Sequence, residues 1–376
     1  MRYVLITGSN GFIGKNLQVV LGRKKGISIL TFNRTDNDDK LQEYLIKADV
    51  IYHLAGVNRP DKIEEFEVVN NGLTRKIIEI LKDNKKQPLI VMSSSTQASL
   101  DSPYGMSKRK AEEALLNYSA QSGGLVCIFR LPGVFGKWCK PNYNSVVATF
   151  CYNIAHKLPI MISDPFKEIE LVYIDDVISS FLTLMDNNQN IPGYIFLEVK
   201  PIFRVTLRDL ANSIKSFSEM RNNLLVPDLT DKFSRYLYTT YLSYLDPKEL
   251  SYDLKQYSDQ RGSLAEIIKS QHFGQIFISR TQPGITRGSH YHDTKVEKFC
   301  VLQGEAIIRF QNIFHNEVIT YRVSGKVWKV LDIPPGYIHS IENVGINEMI
   351  VLFWADEIFD PNLSDTYPCE VGDEEA

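Results

Sequence analysis

Two imidazoles and a carboxylate lie close together in the stretch GITRGSHYHDTKVEKF, where His290 and His292 are two residues apart and Glu297 follows. A third imidazole, His339, lies in PPGYIHSIEN. Side chains two apart on a strand point to the same face, so His290 and His292 can bind one ion. Three nitrogens and one carboxylate suit zinc, iron, manganese or nickel and leave a position for water or substrate. We predict a divalent metal site at these four residues, with zinc as first choice; surface residues without a metal are the alternative.

A glycine-rich turn follows the first apolar run, YVLIT. A strand, a glycine-rich turn and a helix N-terminus together form a binding site for a pyrophosphate. The second apolar run, ISILTF, leads into Asn33 and Arg34. An arginine there can pair with the 2′-phosphate of NADP, so we predict that the cofactor is NADPH. Because an acidic residue can instead hold the ribose 2′-hydroxyl of NAD, Asp36 leaves NAD as an alternative. The cofactor-binding residues predicted from these two stretches are Gly8, Asn10, Gly11, Phe12, Ile13, Gly14, Asn33 and Arg34.

Tyr104 and Lys108 are four residues apart in YGMSK, and three serines, 93–95, precede them at the end of an apolar run. Residues at this spacing lie on one face of a helix. A nearby ammonium lowers the pKa of a tyrosine from about 10 toward neutrality, and the hydroxyl can then protonate a carbonyl as hydride arrives. A serine hydroxyl can hold the same carbonyl oxygen. A solvated helix pair is the alternative.

The composition is that of an ordinary globular protein whose ligand is small. At 376 residues the chain is long enough for two domains. The net charge of −3 and the lack of a long basic stretch give no reason to expect a nucleic-acid partner. The apolar runs are too short for a signal peptide or a membrane span. Five cysteines without a C-x-x-C pair indicate reduced thiols, so we expect a cytoplasmic protein.

The rhythm of apolar runs changes near residue 258. Before residue 245, short runs such as YVLIT, ADVIYHLAG and PLIVMSSS alternate with helical patterns, which predicts an α/β Rossmann-like, doubly wound parallel sheet. Afterwards, closely spaced runs such as GQIFISRT, EKFCVLQGEAIIRF and EMIVLFWA predict an all-β domain. We predict a first domain at 1–245, a linker at 246–257, a second domain at 258–369 and a flexible tail at 370–376.

The first domain resembles the extended short-chain dehydrogenase/reductase family. The motifs GSNGFIG, HLAG (53–56), SSS (93–95), YGMSK (104–108), RLPGVFG (130–136) and YIDDV (173–177) carry the resemblance over about residues 1–240. It implies a nucleotide-sugar substrate, with Tyr104 and Lys108 as the catalytic pair. Ser95 is the third member, and Ser94 and Thr96 are alternatives. The resemblance also implies that Leu54, Ala55 and Gly56 pass along the cofactor.

Departures from this family's patterns narrow the implied chemistry. Family members that dehydrate sugars carry an Asp-Glu pair directly after the position of Ser95, where this chain has Thr96 and Gln97. Dehydration is therefore not expected. Family 4-epimerases recycle a tightly held NAD, whereas Arg34 favours an NADPH that is consumed. A net reductase of a keto-sugar is the better interpretation, and an NAD-linked 4-epimerase is one alternative.

The second domain resembles the cupin superfamily, whose fold is a double-stranded β-helix. Gly284, His290-x-His292, Glu297 and Gly304 match the first cupin motif at every spacing, and Pro334-x-Gly336-x-x-His339-x-x-x-Asn343 matches the second. Trp328 stands where the second motif begins with glycine, which alters a turn and not a ligand. The segment DQRGS resembles one in cupins that epimerise 4-keto-deoxysugars, where the arginine, here Arg261, holds a nucleotide diphosphate; a plain turn with a salt bridge is the alternative.

The order of the two domains resembles bifunctional capsular polysaccharide synthesis enzymes of the CapF type. HLAGVNRP (53–60), FGKWCKPNYNSV (135–146), TYLSYL (240–245) and FDPNLSDTY (359–367) strengthen the resemblance. It implies homodimers that epimerise C3 of a UDP-2-acetamido-2,6-dideoxy-4-ketohexose in the cupin. NADPH-dependent reduction of C4 then gives UDP-N-acetyl-6-deoxy-L-talosamine, on the route to UDP-N-acetyl-L-fucosamine of capsule and O-antigen. Candidate substrate-binding residues at the family's substrate positions are Arg130, Lys137, Lys140, Asn142 and Asn144.

Two alternatives to this bifunctional reading stay open. In the first, the protein is an NADPH-dependent 4-ketoreductase whose cupin serves dimerisation or binding alone. In the second, it is a regulator that senses NADPH and sugar nucleotide, which the intact pair of Tyr104 and Lys108 argues against. The acid–base group at C3 is also open among Tyr291, Lys298 and Glu342.

Overall fold

A computed structural model describes residues 1–187 and 193–372. The chain divides into two compact units: residues 1–215 with 236–246, and residues 216–235 with the chain from 247 onward. Segment 216–235 thus packs with the second unit, although it lies inside the predicted first domain. Of the predicted tail, residues 373–376 lie outside the described residues. The domain boundaries stay a prediction.

The first unit is built from alternating strands and helices. Its strands are β1 (Arg2–Thr7), β2 (Ile27–Phe32), β3 (Val50–His53), β4 (Leu89–Ser95), β5 (Val126–Leu131), β6 (Gly133–Phe135), β7 (Glu168–Tyr173), β8 (Tyr194–Leu197) and β9 (Phe203–Thr206). The helices of the chain are α1 (Phe12–Leu21), α2 (Asp38–Lys47), α3 (Leu73–Asp83), α4 (Pro103–Ser122), α5 (Val146–Ala155), α6 (Ile174–Asp186), α7 (Leu207–Asn223) and α8 (Lys232–Leu242). A π-helix (Phe66–Gly72) leads into α3, and 3-10 turns lie at Thr96–Ser99 and Pro247–Glu249.

Among the described residues, six strands form a parallel sheet in the order β2-β1-β3-β4-β5-β8. Helices cover this sheet, so its central strands are continuous apolar runs; all four residues of β3 are buried. Leu5, Ile51 and Ile90 from the strands pack with Leu45 and Ile77 from the helices. Strands β6, β7 and β9 form a second, small sheet. This arrangement confirms the predicted Rossmann-like class.

The second unit is antiparallel. Its strands are β10 (Gln256–Asp259), β11 (Gly262–Ser270), β12 (Gly274–Thr281), β13 (Thr286–Tyr291), β14 (Glu297–Gln303), β15 (Glu305–Asn312), β16 (Val318–Ser324), β17 (Val330–Ile333), β18 (Tyr337–Asn343), β19 (Met349–Ala355) and β20 (Tyr367–Pro368). They form two sheets, in the orders β10-β11-β12-β19-β14-β17 and β16-β15-β18-β13-β20. Phe299 and Val351 from one sheet and Ile308 and Ile341 from the other share one apolar core. The predicted all-β cupin class is confirmed.

One predicted strand is divided in the structure. The run EKFCVLQGEAIIRF forms two strands, β14 and β15, with Gly304 between them. Gly304 has a φ of +92°, which residues with a side chain rarely adopt. A Cβ at this position would lie 3.0 Å from the Cα of Met349. The glycine therefore permits the tight connection by which the chain passes from β14 in one sheet to β15 in the other.

Candidate active site and metal centre

The glycine-rich turn between β1 and α1 packs closely against the chain that follows β3. Gly8 has a φ of +71°, and a Cβ on it would lie 2.7 Å from the Cα of Ala55. A Cβ on Gly14 would lie 2.6 Å from the carbonyl oxygen of Gly8, so α1 approaches the turn closely. This leaves backbone and the N-terminus of α1 exposed to a pyrophosphate, as the dinucleotide fingerprint requires.

Asn33 and Arg34 follow β2 beside this turn. The side chain of Asn33 bonds to the Ser9 hydroxyl at 2.8 Å and accepts from the Asn10 N–H at 2.9 Å. The Arg34 side chain is 85% exposed and meets Glu65 at 3.5 Å. The carboxylate of Asp36, in contrast, accepts from the Asn33 N–H and from Lys40. Arg34 is therefore accessible to a phosphate, whereas Asp36 already has internal partners.

Ser95, Tyr104 and Lys108 meet where β4 ends and α4 begins. The Ser102 side chain caps α4 by accepting from the Gly105 N–H, which sets the start of the helix. Burial raises the pKa of Tyr104, and a hydrogen bond with Ser95 opposes this rise. Lys108 is not among the groups that shift this pKa, and its ammonium donates to the Ser93 carbonyl at 3.1 Å.

The three candidate hydroxyls near Tyr104 have different surroundings. The Ser95 side chain acts on the Tyr104 phenol and lowers its pKa, whereas the Ser94 hydroxyl donates to the buried carboxylate of Glu112 at 2.5 Å. Thr96 is exposed. Ser95 is therefore the hydroxyl best placed beside the phenol. Glu112, which lies four residues after Lys108 on the same helix face, was missed by the sequence analysis, although the spacing is visible in the sequence.

Leu54, Ala55 and Gly56 follow β3 and run past Lys108. A Cβ on Gly56 would lie 3.1 Å from the Lys108 nitrogen. The Ala55 N–H donates to the Thr7 hydroxyl, which bonds to the buried ring of His53 at 2.9 Å. Burial, with a smaller effect of the Lys108 charge, lowers the pKa of His53 to about 3. A neutral His53 thus helps to fix this stretch, a role that the sequence analysis did not assign.

The six candidate substrate-binding residues have internal partners or lie exposed. Arg130 binds the carboxylate of Glu112, and Lys137 pairs with Asp175 at 2.6 Å. The Lys140 ammonium lies 5.0 Å from the centre of the Tyr143 ring. Asn142 donates to Asn153 at 3.2 Å, Asn144 is exposed, and Arg261 pairs with Asp259 at 2.6 Å. Their predicted role in substrate binding is not tested by this geometry.

The four predicted metal ligands come together inside the second unit. One potential ligand atom from each of His290, His292, Glu297 and His339 lies within 4.8 Å of the others. His290 on β13 pairs directly with His339 on β18, while Glu297 begins β14. A register shift after Gly288, with a φ of +61° at Ser289, bends β13 next to the ligands. His292 follows the end of β13, and its ring centre lies 4.9 Å from that of His290.

This donor set fits a divalent transition metal. Glu297 lies 3.3 Å from the Nε2 of His292 and 3.6 Å from that of His339. Both Nε2 atoms are buried and have no hydrogen-bond partner among the described residues, which is costly unless a further group binds them. Burial, with the neighbouring imidazoles, lowers the pKa of His290 to about 4. The imidazole is therefore neutral at pH 7, the form that binds metals.

All three conceivable acid–base groups at C3 have partners outside this cluster. Lys298 follows Glu297 on β14 and binds Asp332, and Glu342 pairs with Arg309 at 2.8 Å. Successive side chains on a strand alternate between faces, so Lys298 lies on the face opposite Glu297. Tyr291 stacks on Tyr367, with 5.2 Å between ring centres.

Sequence analysis missed Asp365 and Lys295, which border the metal cluster. The carboxylate of Asp365 accepts from the backbone N–H groups of Asp293, Thr294 and Lys295. Lys295 is buried, and its ammonium donates to the Thr366 hydroxyl at 3.1 Å. Asp365 lies in FDPNLSDTY, a stretch that carried the family resemblance, but its distance along the chain from His292 gave no local signal.

The fold and the two candidate sites define a short-chain dehydrogenase/reductase joined to a cupin-like domain, and comparisons with known proteins agree. The NAD dependent epimerase/dehydratase family matches residues 4–197, and the polysaccharide biosynthesis C-terminal domain matches residues 257–367. The UDP-2-acetamido-2,6-beta-L-arabino-hexul-4-ose reductase of Pseudomonas aeruginosa is 42% identical over 98% of this chain and 99% of its own.

Solved structures give the same result. The capsular polysaccharide assembling protein CapF of Staphylococcus aureus is 42% identical, with a TM-score of 0.89 over 98% of this chain and 100% of that chain. UDP-glucuronic acid 4-epimerase of Bacillus cereus is 20% identical over 57% of this chain and 83% of its own, with a TM-score of 0.52, and shares the fold. The chain belongs to the CapF-type family, in which an epimerase/dehydratase domain is fused to a polysaccharide biosynthesis C-terminal domain.

The family is one of enzymes that bind a nicotinamide cofactor, which the glycine-rich turn of this chain fits. Within residues 1–187 and 193–372, no helix has the length and apolar character needed to cross a membrane.

Proposed function

We propose that this protein epimerises C3 of a UDP-2-acetamido-2,6-dideoxy-4-ketohexose in its cupin domain and reduces the C4 ketone with NADPH in its first domain. The product would be UDP-N-acetyl-6-deoxy-L-talosamine, on the route to UDP-N-acetyl-L-fucosamine of capsule and O-antigen. One observation carries the proposal: the chain holds a Ser95–Tyr104–Lys108 set and, in its other unit, a cluster of three imidazoles and a carboxylate. The name of the Pseudomonas aeruginosa relative supports a UDP-linked 4-keto sugar as substrate.

In the first domain, Tyr104 is the proton donor to the C4 oxygen, and bound NADPH supplies the hydride to C4. The raised pKa of Tyr104 keeps its hydroxyl protonated at neutral pH, so the donor form is fully populated. The Ser95 hydroxyl holds the same carbonyl oxygen and stabilises the charge that develops on it. Lys108 would stabilise the phenolate left on Tyr104 after the proton has moved, which requires its ammonium to turn from the Ser93 carbonyl toward Tyr104.

The cofactor site uses the turn and the strand ends described above. Arg34, with its exposed guanidinium, would pair with the 2′-phosphate of NADPH, which supports NADPH over NAD. The internal partners of Asp36 support the same choice. The residues proposed to contact the cofactor are Gly8, Asn10, Gly11, Phe12, Ile13, Gly14, Asn33, Arg34, Leu54, Ala55, Gly56, Tyr104 and Lys108.

In the cupin domain, His290, His292, Glu297 and His339 would hold a divalent metal, for which zinc is the first choice. A metal held there would supply Lewis acidity to the C4 ketone, and this would acidify the hydrogen at C3. The C3 proton would pass to a protein base, for which Tyr291, Lys298 and Glu342 are the candidates, and return of a proton to the opposite face would invert C3. Epimerisation at C3 does not change the oxidation state of C4. The inverted sugar therefore still carries the C4 ketone that the reductase domain would reduce.

The remaining parts of the proposal concern binding and assembly. Arg261 would contact the nucleotide diphosphate, and further substrate contacts would come from Arg130, Lys137, Lys140, Asn142 and Asn144. Because Arg130 and Lys137 have internal carboxylate partners, a contact with the sugar nucleotide would require them to share or exchange these partners. The protein is proposed to be a cytoplasmic homodimer.

Separating the two steps by mutation tests the proposal. Tyr104→Phe should epimerise the starting 4-keto sugar at C3 without reducing it. His290→Ala should reduce the 4-keto sugar that has already been inverted at C3, but it should not invert C3 of the starting sugar. Mixing the two variants with the first ketone and NADPH should restore the doubly processed product, identified by NMR. If the protein is a 4-ketoreductase whose cupin serves only dimerisation, His290→Ala should give the same product as the wild-type protein. No sugar inverted at C3 should then form with either protein.

A further inference from the structure

A short C-terminal segment, residues 365–368, runs along the connection between the histidine ligands and Glu297; we name it the C-terminal strap. Its strand β20 pairs with β13, with Pro368 opposite His290 and Tyr367 opposite Tyr291. The Lys295 ammonium donates to the Thr366 hydroxyl. The strap thus contacts the chain on both sides of His292.

Asp365 holds the turn between His292 and Glu297 through four hydrogen bonds. One carboxylate oxygen accepts from the Asp293 N–H at 2.9 Å. The other accepts from the Thr294 and Lys295 N–H groups, both at 2.8 Å, and from the Thr294 hydroxyl at 2.9 Å. Hydrogen bonds to an ionised carboxylate are about twice as strong as neutral ones, so this turn is firmly fixed.

The main-chain carbonyl of Asp365 also contacts a metal ligand directly. It accepts from the Nδ1 of His292, which assigns the proton of this imidazole to Nδ1. The Nε2 of His292 then carries a free lone pair, and it is buried, without a hydrogen-bond partner among the described residues and 3.3 Å from Glu297. A hydrogen bond of this kind fixes both the tautomer and the ring orientation of a ligating histidine.

We propose that Asp365 is a positioning residue for the metal centre: its carboxylate anchors the strap so that its carbonyl orients His292 for metal binding. The inference rests on the proposed metal site and extends it to a residue 73 positions away along the chain. Asp365 is expected to act on the affinity of the site for metal, because loss of a group that orients a ligand costs about tenfold to one hundredfold in metal affinity.

The variants Asp365→Asn and Asp365→Ala test this role, with Asp360→Asn as the matched control. An amide retains one acceptor oxygen, so Asn should keep part of the anchoring that Ala removes. Asp360 lies in the same loop, and its carboxylate accepts from the Asn362 N–H at 2.8 Å and has no hydrogen bond to the four ligands in the described residues. His290→Ala, which lacks a ligand, sets the level expected for a broken site.

The measurement is the zinc dissociation constant of the full-length variants by chelator competition, with the thermal midpoints of the metal-free and zinc-loaded proteins. We expect Asp365→Ala to bind zinc about tenfold to one hundredfold more weakly, Asp365→Asn to lie between it and wild type, and Asp360→Asn to match wild type. The rise in midpoint on adding zinc should shrink in the same order.

Cobalt-substituted protein gives a second readout, since the visible absorption of cobalt(II) reports ligand geometry. A changed spectrum in Asp365→Asn is expected. Wild-type affinity and spectrum in both Asp365 variants, with equal losses of midpoint for metal-free and loaded protein, would overturn the inference and leave the strap as a packing element. If Asp365→Ala does not fold, Asp365→Asn decides. A wild-type protein that binds zinc no better than His290→Ala would contradict the proposed metal site itself.

Discussion

The guanidinium of Arg130 donates three hydrogen bonds to the carboxylate of Glu112. Its Nε lies 3.0 and 3.2 Å from the two carboxylate oxygens, and its Nη2 lies 2.6 Å from one of them. Glu112 is 2% exposed and Arg130 40% exposed. Two parallel bonds of this kind fix geometry as well as charge. Arg130 therefore stabilises α4, the helix that carries Tyr104 and Lys108, whatever its part in substrate binding.

Arg130→Met should lower the free energy of unfolding by about 2 kcal/mol, because it leaves a buried carboxylate without its cationic partner. Lys137→Met is the control: it breaks a more exposed pair with Asp175 and should cost less than about 1 kcal/mol. Urea denaturation measures both. If the two variants lose equally little free energy of unfolding, and Arg130→Met also raises KM for the sugar nucleotide, Arg130 is primarily a substrate ligand.

Lys108→Met should make the protein more stable at pH 7 while abolishing reduction. Burial lowers the pKa of Lys108 from 10.5 to about 8, a cost of roughly 3 kcal/mol, and the lost bond to the Ser93 carbonyl returns about 1 kcal/mol. The expected net gain at pH 7 is about 2 kcal/mol.

The same pKa gives the pH dependence. Between pH 8 and 10.5 the unfolded lysine binds more protons than the folded one, so wild-type stability gains from this group as pH rises. The advantage of Lys108→Met should therefore shrink between pH 7 and about pH 9.5. Urea denaturation at both pH values checks this, and a variant less stable than wild type at pH 7 would show that the ammonium is not a net cost.

Ser95→Ala and Ser94→Ala should separate catalysis from stability. Ser95 acts on the phenol of Tyr104, the proposed proton donor, so its loss should lower kcat by about one hundredfold. Ser94 donates to Glu112, so its loss should cost about 1 kcal/mol of stability and leave kcat within a few-fold. NADPH oxidation and thermal unfolding measure the two effects. The opposite pattern would assign the catalytic hydroxyl to Ser94.

Arg34→Ala should raise KM for NADPH by about tenfold and leave KM for NADH unchanged, since it removes one charge-assisted contact to the 2′-phosphate. Asp36→Ala serves as the comparison, because Asp36 would hold the ribose of NAD if the enzyme were NAD-linked. Steady-state kinetics with both cofactors decide. An unchanged KM for NADPH in Arg34→Ala, with a raised KM for NADH in Asp36→Ala, would favour the NAD-linked alternative.

Local patterns predicted the fold class and the grouping of the metal ligands. The H-x-H spacing and the strand period placed His290 and His292 together, and Glu297 and His339 join them in the structure. Apolar periodicity likewise separated parallel from antiparallel parts of the chain. Such features depend on residues a few positions apart, which a sequence displays directly.

Contacts between distant segments could not be predicted in the same way. Asp365 and the turn it holds are about 70 residues apart, and nothing in FDPNLSDTY points to that turn. The expected lowering of the Tyr104 pKa by Lys108 is likewise not found, since burial raises this pKa, and the Lys108 ammonium donates to the Ser93 carbonyl on β4. The nearest neighbours of a buried charge depend on tertiary packing.

Proton exchange at C3 tests the central claim most directly. The zinc-loaded protein is incubated with the UDP-linked 4-keto-6-deoxy-N-acetylhexosamine in D2O without NADPH, and the sugar is followed by NMR. We expect deuterium to appear at C3 with wild type and with Tyr104→Phe, and not with His290→Ala. Absence of exchange in wild type, with the same preparation still oxidising NADPH on that ketone, would contradict the bifunctional account and leave a 4-ketoreductase.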